Sequence, residues 1–566
     1  MSDSAQLKVV LCWHMHQPQY RDLINGRYSL PWTYLHAIKD YADMAAHIEA
    51  VPAARAVVNF APLLLEQLDD YVRQIDGYLS GGAPISDPLL AALVEPPSPL
   101  DPEARQGLIK DCLRANDQRI IQRFPAFARL ASLGREALAQ PVIFDYLGDA
   151  FFADLAMWYH LAWLGETVRR DHARVQLLQD KAARYSRDDR HELLALIGEL
   201  LRGIVPRYRR LAKRGQVELS VTPYAHPIMP LLLDFQSTHD AMPTAALPMQ
   251  PAYPGGEERV RWHLREGIAT FERYFGFKPA GCWPSEGSIS AATLEHLDQA
   301  GFAWSASGET VLTNSLHKSG HAPHALKAAW LYRPYRLDGD GVACFFRDDS
   351  LSDLIGFTYA NWHADDAVAN LVQHLENIAD TCRDHPDRIV SIILDGENAW
   401  EYYPENGYYF LSALYQRLAT HPRIALTTYS DYLKQHSPQP LKAVAAGSWV
   451  YGTFSTWIGD PEKNRGWDML VAAKLAFDQT APRLNQEQRA AATRQLAVCE
   501  GSDWFWWFGD YNPESAVSDF EKLYRLHLSN LYRLLRLEPP DYLARPFTHG
   551  GGTPEHGGTM RTGQAS

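Results

Sequence analysis

A chain of 566 residues is long enough to bury a large core, and 54 Lys and Arg against 67 Asp and Glu leave a formal charge of −13. That sign gives no general attraction to nucleic acid or to an anionic membrane surface. Hydrophobic residues at 46% and charged residues at 21% are ordinary globular usage, which excludes disordered, collagen-like and fibrous classes. The 16 Trp and 28 Tyr would suit the weakly polar faces of sugars, and equally a large core. The polar stretch Met1 to Leu7 and the early break of the apolar run Val9–Trp13 by His14 are expected of a chain with no secretory leader or membrane span. Six widely separated cysteines with no Cys-x-x-Cys pair predict free thiols, a cytoplasmic location and no structural zinc.

Eight short runs rich in β-branched, apolar and aromatic residues are predicted as strands: 8–13, 56–60, 217–222, 280–283, 302–306, 342–346, 389–394 and 424–428. Near-continuous apolar strands separated by helical sequence predict a parallel sheet covered on both faces, and so a β/α barrel, complete or incomplete. Unusual polar residues follow these runs: His14 and His16, Asn59, Tyr224 and His226, Glu286, Asp348 and Asp349, Asp395 and Glu397. In a barrel the C-terminal strand ends share one mouth, where the chemistry is done. Two stretches break the alternation. Residues 88–214 carry helical spacing and read as an inserted helical subdomain, and 467–537 as a C-terminal bundle. The predicted division is a catalytic barrel over 1–435, a helical region over 436–547 that completes the cleft, and a Gly- and Thr-rich tail, 548–566, expected to be disordered.

Four segments carry the chemistry. In Trp13-His14-Met15-His16-Gln17-Pro18 the period of two aims both imidazoles to one side. They could ligate a metal with a carboxylate, hydrogen-bond a polar substrate, or be a satisfied core pair. In Gly281-Cys282-Trp283-Pro284-Ser285-Glu286-Gly287 a strand ends at Pro and presents one carboxylate beside an indole, the alternative being a solvated loop Glu. In Ile392-Ile393-Leu394-Asp395-Gly396-Glu397 four apolar residues, counting Ser391's neighbour Val390, lead to Asp395, which either faces the mouth or caps a helix. The segment Ser502-Asp503-Trp504-Phe505-Trp506-Trp507 is either a helix buried all round or a cleft wall, and Trp449, Trp457 and Trp467 offer further aromatic platforms. Two carboxylates from different strands meeting at one mouth are what glycoside hydrolysis requires. Their separation, about 5 to 5.5 Å or about 6.5 to 9.5 Å, sets retention or inversion.

Together these segments resemble glycoside hydrolase family 57, which is recognised by five ordered motifs. His14 to Pro18, Gly215 to Glu218, Gly281 to Glu286, Leu394 to Glu397 and Ser502 to Trp506 are similar to them in order. The stretches 30–41 and 222–228 look like the α-amylase and amylopullulanase branch. The resemblance implies an incomplete seven-stranded β/α barrel, which leaves one of the eight runs outside it, 302–306 or 424–428. It implies Glu286 as nucleophile and Asp395 as general acid/base of a retaining reaction on α-1,4-glucans, with no metal and no cofactor. His14, His16, Glu218, His226, Glu397 and Asp503 would hydrogen-bond the sugar, and Trp283, Trp457 and Trp506 would stack on it. With a glucan hydroxyl as acceptor the same intermediate gives a 4-α-glucanotransferase or branching enzyme. Rival classes are a metal-dependent carbohydrate hydrolase or deacetylase built on His14, His16 and Asp395, and a non-catalytic glucan-binding protein.

Overall fold

The computed structural model describes residues 6–338, 341–385, 387–552, 560, 561 and 563. Its ten strands are β1 (Leu7–Met15), β2 (Ala56–Phe60), β3 (Val217–Val221), β4 (Gly281–Cys282), β5 (Trp304–Ser307), β6 (Tyr335–Leu337), β7 (Ala343–Phe346), β8 (Ile389–Asp395), β9 (Ile424–Leu426) and β10 (Gln439–Leu441). All eight predicted runs contain a strand. Seven strands form a continuous parallel path, β7-β5-β4-β3-β2-β1-β8. The seam between β7 and β8 carries only the bridge Arg347↔Ser391, with the Asp348 N–H donating to Ser391 O at 2.8 Å. This is the incomplete (β/α)7 barrel. The run outside it is the one at β9, which lies off the path against Leu7–Val9, whereas β5 is an internal strand. Two strands not predicted, β6 and β10, extend the edge beyond β7, with β6 antiparallel to it.

Strand alternation divides the core in two. Val10 and Cys12 of β1 point inward and join Val57, Ile393, Trp304 and Phe345 in an inner core that Tyr429 and Tyr432 help to close. Val9, Leu11, Trp13 and Met15 point outward against the surrounding helices. A barrel this narrow is filled by side chains rather than open through its length. Crossover helices start and stop where local chemistry dictates: Pro62 occupies the first turn of Pro62–Gly81, and Gly82 at φ 70° ends it in a left-handed cap.

Residues 88–214 are helical as expected, ending in the 27-residue helix Arg187–Lys213, which is opened by a Ser186/Asp189 capping box. The C-terminal region contributes Pro461–Thr480, Gln486–Cys499, Asp503–Trp507 and Glu514–Leu534. No helix among the described residues is long and apolar enough to cross a membrane. All six cysteines are free and buried.

Strand β4 owes its place to a missing side chain. A Cβ at Gly281 would lie 1.8 Å from the Trp304 ring on β5. Gly281→Ala should therefore destabilise the fold by about 1–3 kcal/mol through overpacking, read as a lowered thermal midpoint. An unchanged midpoint would mean that Trp304 has room to move.

Candidate active site

The site begins as a polar row in an apolar sheet. Asp395 on β8, His14 on β1, Asn59 on β2 and Ser220 on β3 are successive register partners. Side chains in register share a face, so four neighbouring strands bring polar groups to one level of the barrel interior. One level below lie Cys12, Val57 and Ile393. The row is held by its own hydrogen bonds: Asn59 Nδ2 donates to Ser220 Oγ at 3.1 Å, and Asn59 Oδ1 faces His14 Nδ1 at 2.7 Å and Thr222 Oγ1 at 2.8 Å.

Above the row opens a cavity of about 310 Å³, within the range of small-ligand sites. His14, His16, His226, Glu286, Asp395, Glu397, Asp503 and Trp506 all line it. Glu286 reaches it from a turn after β4 with φ 58°, and His226 after β3 with φ 59°, both in the left-handed region. That conformation costs a side-chain-bearing residue about 1–2 kcal/mol and is kept where the surroundings over-determine it. For Glu286 these are Trp449, whose indole N–H donates to Oε2 at 3.1 Å, and Ser502, whose Oγ lies 3.4 Å from Oε1. The Trp449 backbone N–H also donates to Glu286 O at 3.0 Å. Asp395 stands at the end of β8 and accepts from Asn398 Nδ2 at 2.9 Å.

Desolvation dominates the electrostatics. Burial, then the charges of Asp395 and Asp503, push Glu286 up to about 8, against the Trp449 and Ser502 donors. Burial raises Asp395 too, opposed by Asn398 and His16. Glu397 is raised well above the usual range by burial and by Asp395; its Oε1 accepts from Gln17 at 3.1 Å, and its buried Oε2 has no partner among the described residues. Burial and the neighbouring imidazoles lower His14 to about 3 and His226 well below its ordinary value, so both are neutral. His16 pairs through Nε2 with Asp503 at 2.7 Å. The raised carboxyls interact with one another, so their titration belongs to the cluster.

Three of the expected binding residues are not brought to the cavity. Glu218 has the right parity but sits two residues below Ser220 on β3, where it accepts from Trp304 Nε1 at 2.6 Å and the Ser430 N–H at 3.0 Å. Trp283 is fully buried in the inner core, its ring packed on Trp449 at 5.1 Å, and no face is free for a sugar. Trp457 is likewise fully buried, 5.9 Å behind Trp506. Conversely, the cavity has residues that the motifs did not single out: Arg347, Asn398 and, from the helical insertion, Arg114. Trp449, in the sequence one more aromatic platform, meets Glu286 across 163 residues of chain.

The tail also departs from expectation. Thr548 is buried, Met560 and Arg561 line the cavity, and the Arg561 guanidinium lies 5.1 Å over Trp506 and 4.4 Å over Tyr511. The Gly563 N–H donates to Asp353 Oδ2 at 3.0 Å. For residues 553–559, 562 and 564–566 the expected disorder falls outside the described residues.

His14, His16 and His226 offer nitrogens within 4.8 Å of one another, a possible metal set. His14 Nε2 and His226 Nε2 already face each other at 3.2 Å, and His16 and His226 stack at 3.8 Å within 16° of parallel. Stacked rings aim their lone pairs side by side, not at one ion, so the donor set does not fit a metal without rearrangement.

The sequence profile described as glycosyl hydrolase family 57 matches residues 10–445. The chain belongs to this family. It is also 24% identical over 256 residues, 44% of its length, to a 4-alpha-glucanotransferase from Thermococcus litoralis, and the match spans about a third (32%) of that relative. Among solved structures it is similar to a branching enzyme of this family from Pyrococcus horikoshii (TM-score 0.56, 15% identity, 98% of this chain and 99% of that one). A similar likeness holds for the alpha-amylase AmyC from Thermotoga maritima (TM-score 0.54, 13% identity, 94% and 96%). At these identities the structural likeness shows the family fold.

The fifth-motif segment is clamped from both sides. At its C-terminal end, buried Lys463 donates to Phe505 O at 2.5 Å and Phe508 O at 2.7 Å. At its N-terminal end, Glu500 is wholly buried against Arg259 (2.7 Å) and His263 (2.7 Å). Despite burial, which opposes it, the Arg259 charge and His263 hold Glu500 down to about 2. A carboxyl lowered in the folded state stabilises fully above its unfolded pKa and loses that contribution as pH falls from about 4.5 toward 2, about 3 kcal/mol for this group. Denaturant midpoints measured against pH should show this acid slope in the parent protein and lack it in Glu500→Gln, which should also be destabilised near neutrality because Arg259 is left buried and unpaired.

Proposed function

We propose that the protein is a retaining enzyme that cleaves α-1,4-glucosidic bonds of maltodextrin, glycogen or starch, with water as the principal acceptor. The observation that carries this reading is the presence of two carboxyls, Glu286 after β4 and Asp395 at the end of β8, on one cavity walled by aromatic rings. Family membership and the α-glucan-acting relatives support the substrate class.

In the first step a Glu286 oxygen attacks the anomeric carbon while Asp395 gives its proton to the departing glycosidic oxygen, leaving a glycosyl ester on Glu286 and a carboxylate on Asp395. In the second step Asp395 takes a proton from a water at the same carbon, the C–O bond to Glu286 breaks, and both carboxyls regain their starting states. Trp449 and Ser502 fix the Glu286 oxygens, and Asn398 orients Asp395. His16, paired with Asp503, faces the sugar hydroxyls of the same subsite, as do His14, His226 and Glu397. Buried thiols fit a reducing compartment, hence a cytoplasmic storage glucan as substrate.

The assignment of the two carboxyls is testable by azide rescue on a maltooligosaccharide with an activated leaving group. Glu286→Ala should yield the β-glycosyl azide, of inverted configuration, and Asp395→Ala the α-azide, of retained configuration. Interchanged products would exchange the two roles, and parent-level turnover in either variant without azide would exclude this centre. A second reading, glucanotransferase, draws on the Thermococcus litoralis relative. On maltoheptaose, net release of reducing ends marks hydrolysis, and redistribution of chain lengths without it marks transfer.

A further inference from the structure

The Trp506 indole lines the cavity but is already packed by the protein itself. Trp457 lies 5.9 Å behind it, and the Arg561 guanidinium lies 5.1 Å over its ring and 4.4 Å over that of Tyr511. A guanidinium is planar, and on an indole it takes up the flat face that a sugar ring would otherwise use. Asn512 ties the arrangement together. Its Nδ2 donates to Trp506 O at 2.9 Å and to Trp507 O at 3.0 Å, and its Oδ1 accepts from Arg561 Nη2 at 3.4 Å.

The tail that carries Arg561 is pinned on both sides of it. Earlier in the chain, the Gly551 N–H donates to Asp510 O at 3.0 Å and the Gly552 N–H to Asn512 O at 3.1 Å. Met560 is buried and lines the cavity beside Arg561. Gly563 is buried too: its N–H donates to Asp353 Oδ2 at 3.0 Å, its O accepts from the Tyr451 N–H at 3.1 Å, and a Cβ on it would collide with the Asp349 carboxyl. Two residues of extended chain span at most about 7 Å, so the tail joins the Trp506 wall directly to the segment after Trp449 and to the helix after β7. Buried backbone with its hydrogen bonds made is costly to release, and so behaves as a fixed wall. Elsewhere the cavity meets solvent, as at Arg114, whose side chain is 36% exposed.

We propose that Met560 and Arg561 are specificity-determining residues that end the glucan cleft on the Trp506 side. A glucan is then held by a chain end that stops against them, and no chain is threaded through the site. This rests on the α-glucan reading above and names which part of the glucan is taken: the free end of a linear chain, to the exclusion of the interior of a long or cyclic one. Arg561 suits the stop, because its guanidinium carries N–H donors that the hydroxyls of a terminal sugar can accept. A sugar continuing past that point would have to displace both the guanidinium and the pinned backbone.

The test is calorimetric binding of maltoheptaose and of β-cyclodextrin, its endless seven-unit counterpart, to the full chain carrying Glu286→Gln to silence turnover. The linear glucan should bind about tenfold or more tighter than the ring. Adding Arg561→Ala should narrow that ratio about fivefold, because the discrimination comes from a clash with the ring and not from contacts both ligands share. Gly563→Leu keeps Arg561 but cannot seat beside Asp349, and it should narrow the ratio as well. Trypsin reads the docking without any glucan: cleavage after Arg561 should be slow in the parent and fast in Gly563→Leu, so that ratio and cleavage change together. Equal affinity for ring and linear glucan before the tail is altered, a ratio unmoved in Arg561→Ala, or fast cleavage after Arg561 in the parent overturns the proposal. Failure of both glucans to bind any variant overturns the glucan reading itself, and the proposal with it.

Discussion

Burying polar groups in the interior of a narrow barrel is tolerable only if they satisfy one another, and the rest of this molecule is arranged around that requirement. Asp395, His14, Asn59 and Ser220 lie at one level on four adjacent strands. Below them the interior is apolar apart from Glu218, so the row is both the roof of the core and the floor of the cleft. Trp283 seals the boundary: its ring lies 6.3 Å from His14 and 5.1 Å from Trp449.

Two cavity residues are raised above this floor by strain that the surroundings hold in place. Glu286 and His226 adopt left-handed backbone conformations on the two turns that follow β4 and β3. Each is tied to the C-terminal region: Glu286 to Trp449 through side chain and backbone, and His226 to Ser502, whose N–H donates to His226 O at 2.8 Å. The barrel therefore does not form the site alone. The helix Asp503–Trp507 completes it, and this short helix depends in turn on the Lys463 and Glu500 clamps.

Glycosyl hydrolase family 57 membership accounts for the architecture. In this chain the outer wall is contributed by parts that the family motifs do not cover: Arg114 from the helical insertion, and Arg561, whose guanidinium covers the Trp506 ring from the tail.

The residues alone were enough for the strand runs, the helical insertion and the positions of Glu286 and Asp395, because burial on both faces leaves uninterrupted apolar runs and any polar residue ending them stands out. Parity also put His14 and His16 on one side. Parity could not give depth: Glu218 shares the inward face with Ser220 yet lies two residues lower, and only the register of β3 with β2 separates floor from core. Nor could composition say which indoles face a sugar. Trp283 and Trp457 are sealed and Trp449 meets the carboxyl because of contacts between segments far apart in sequence. Local sequence determines what a strand carries and which way it points, and the level, the exposure and the hydrogen-bond partners of each group are decided when the strands come together.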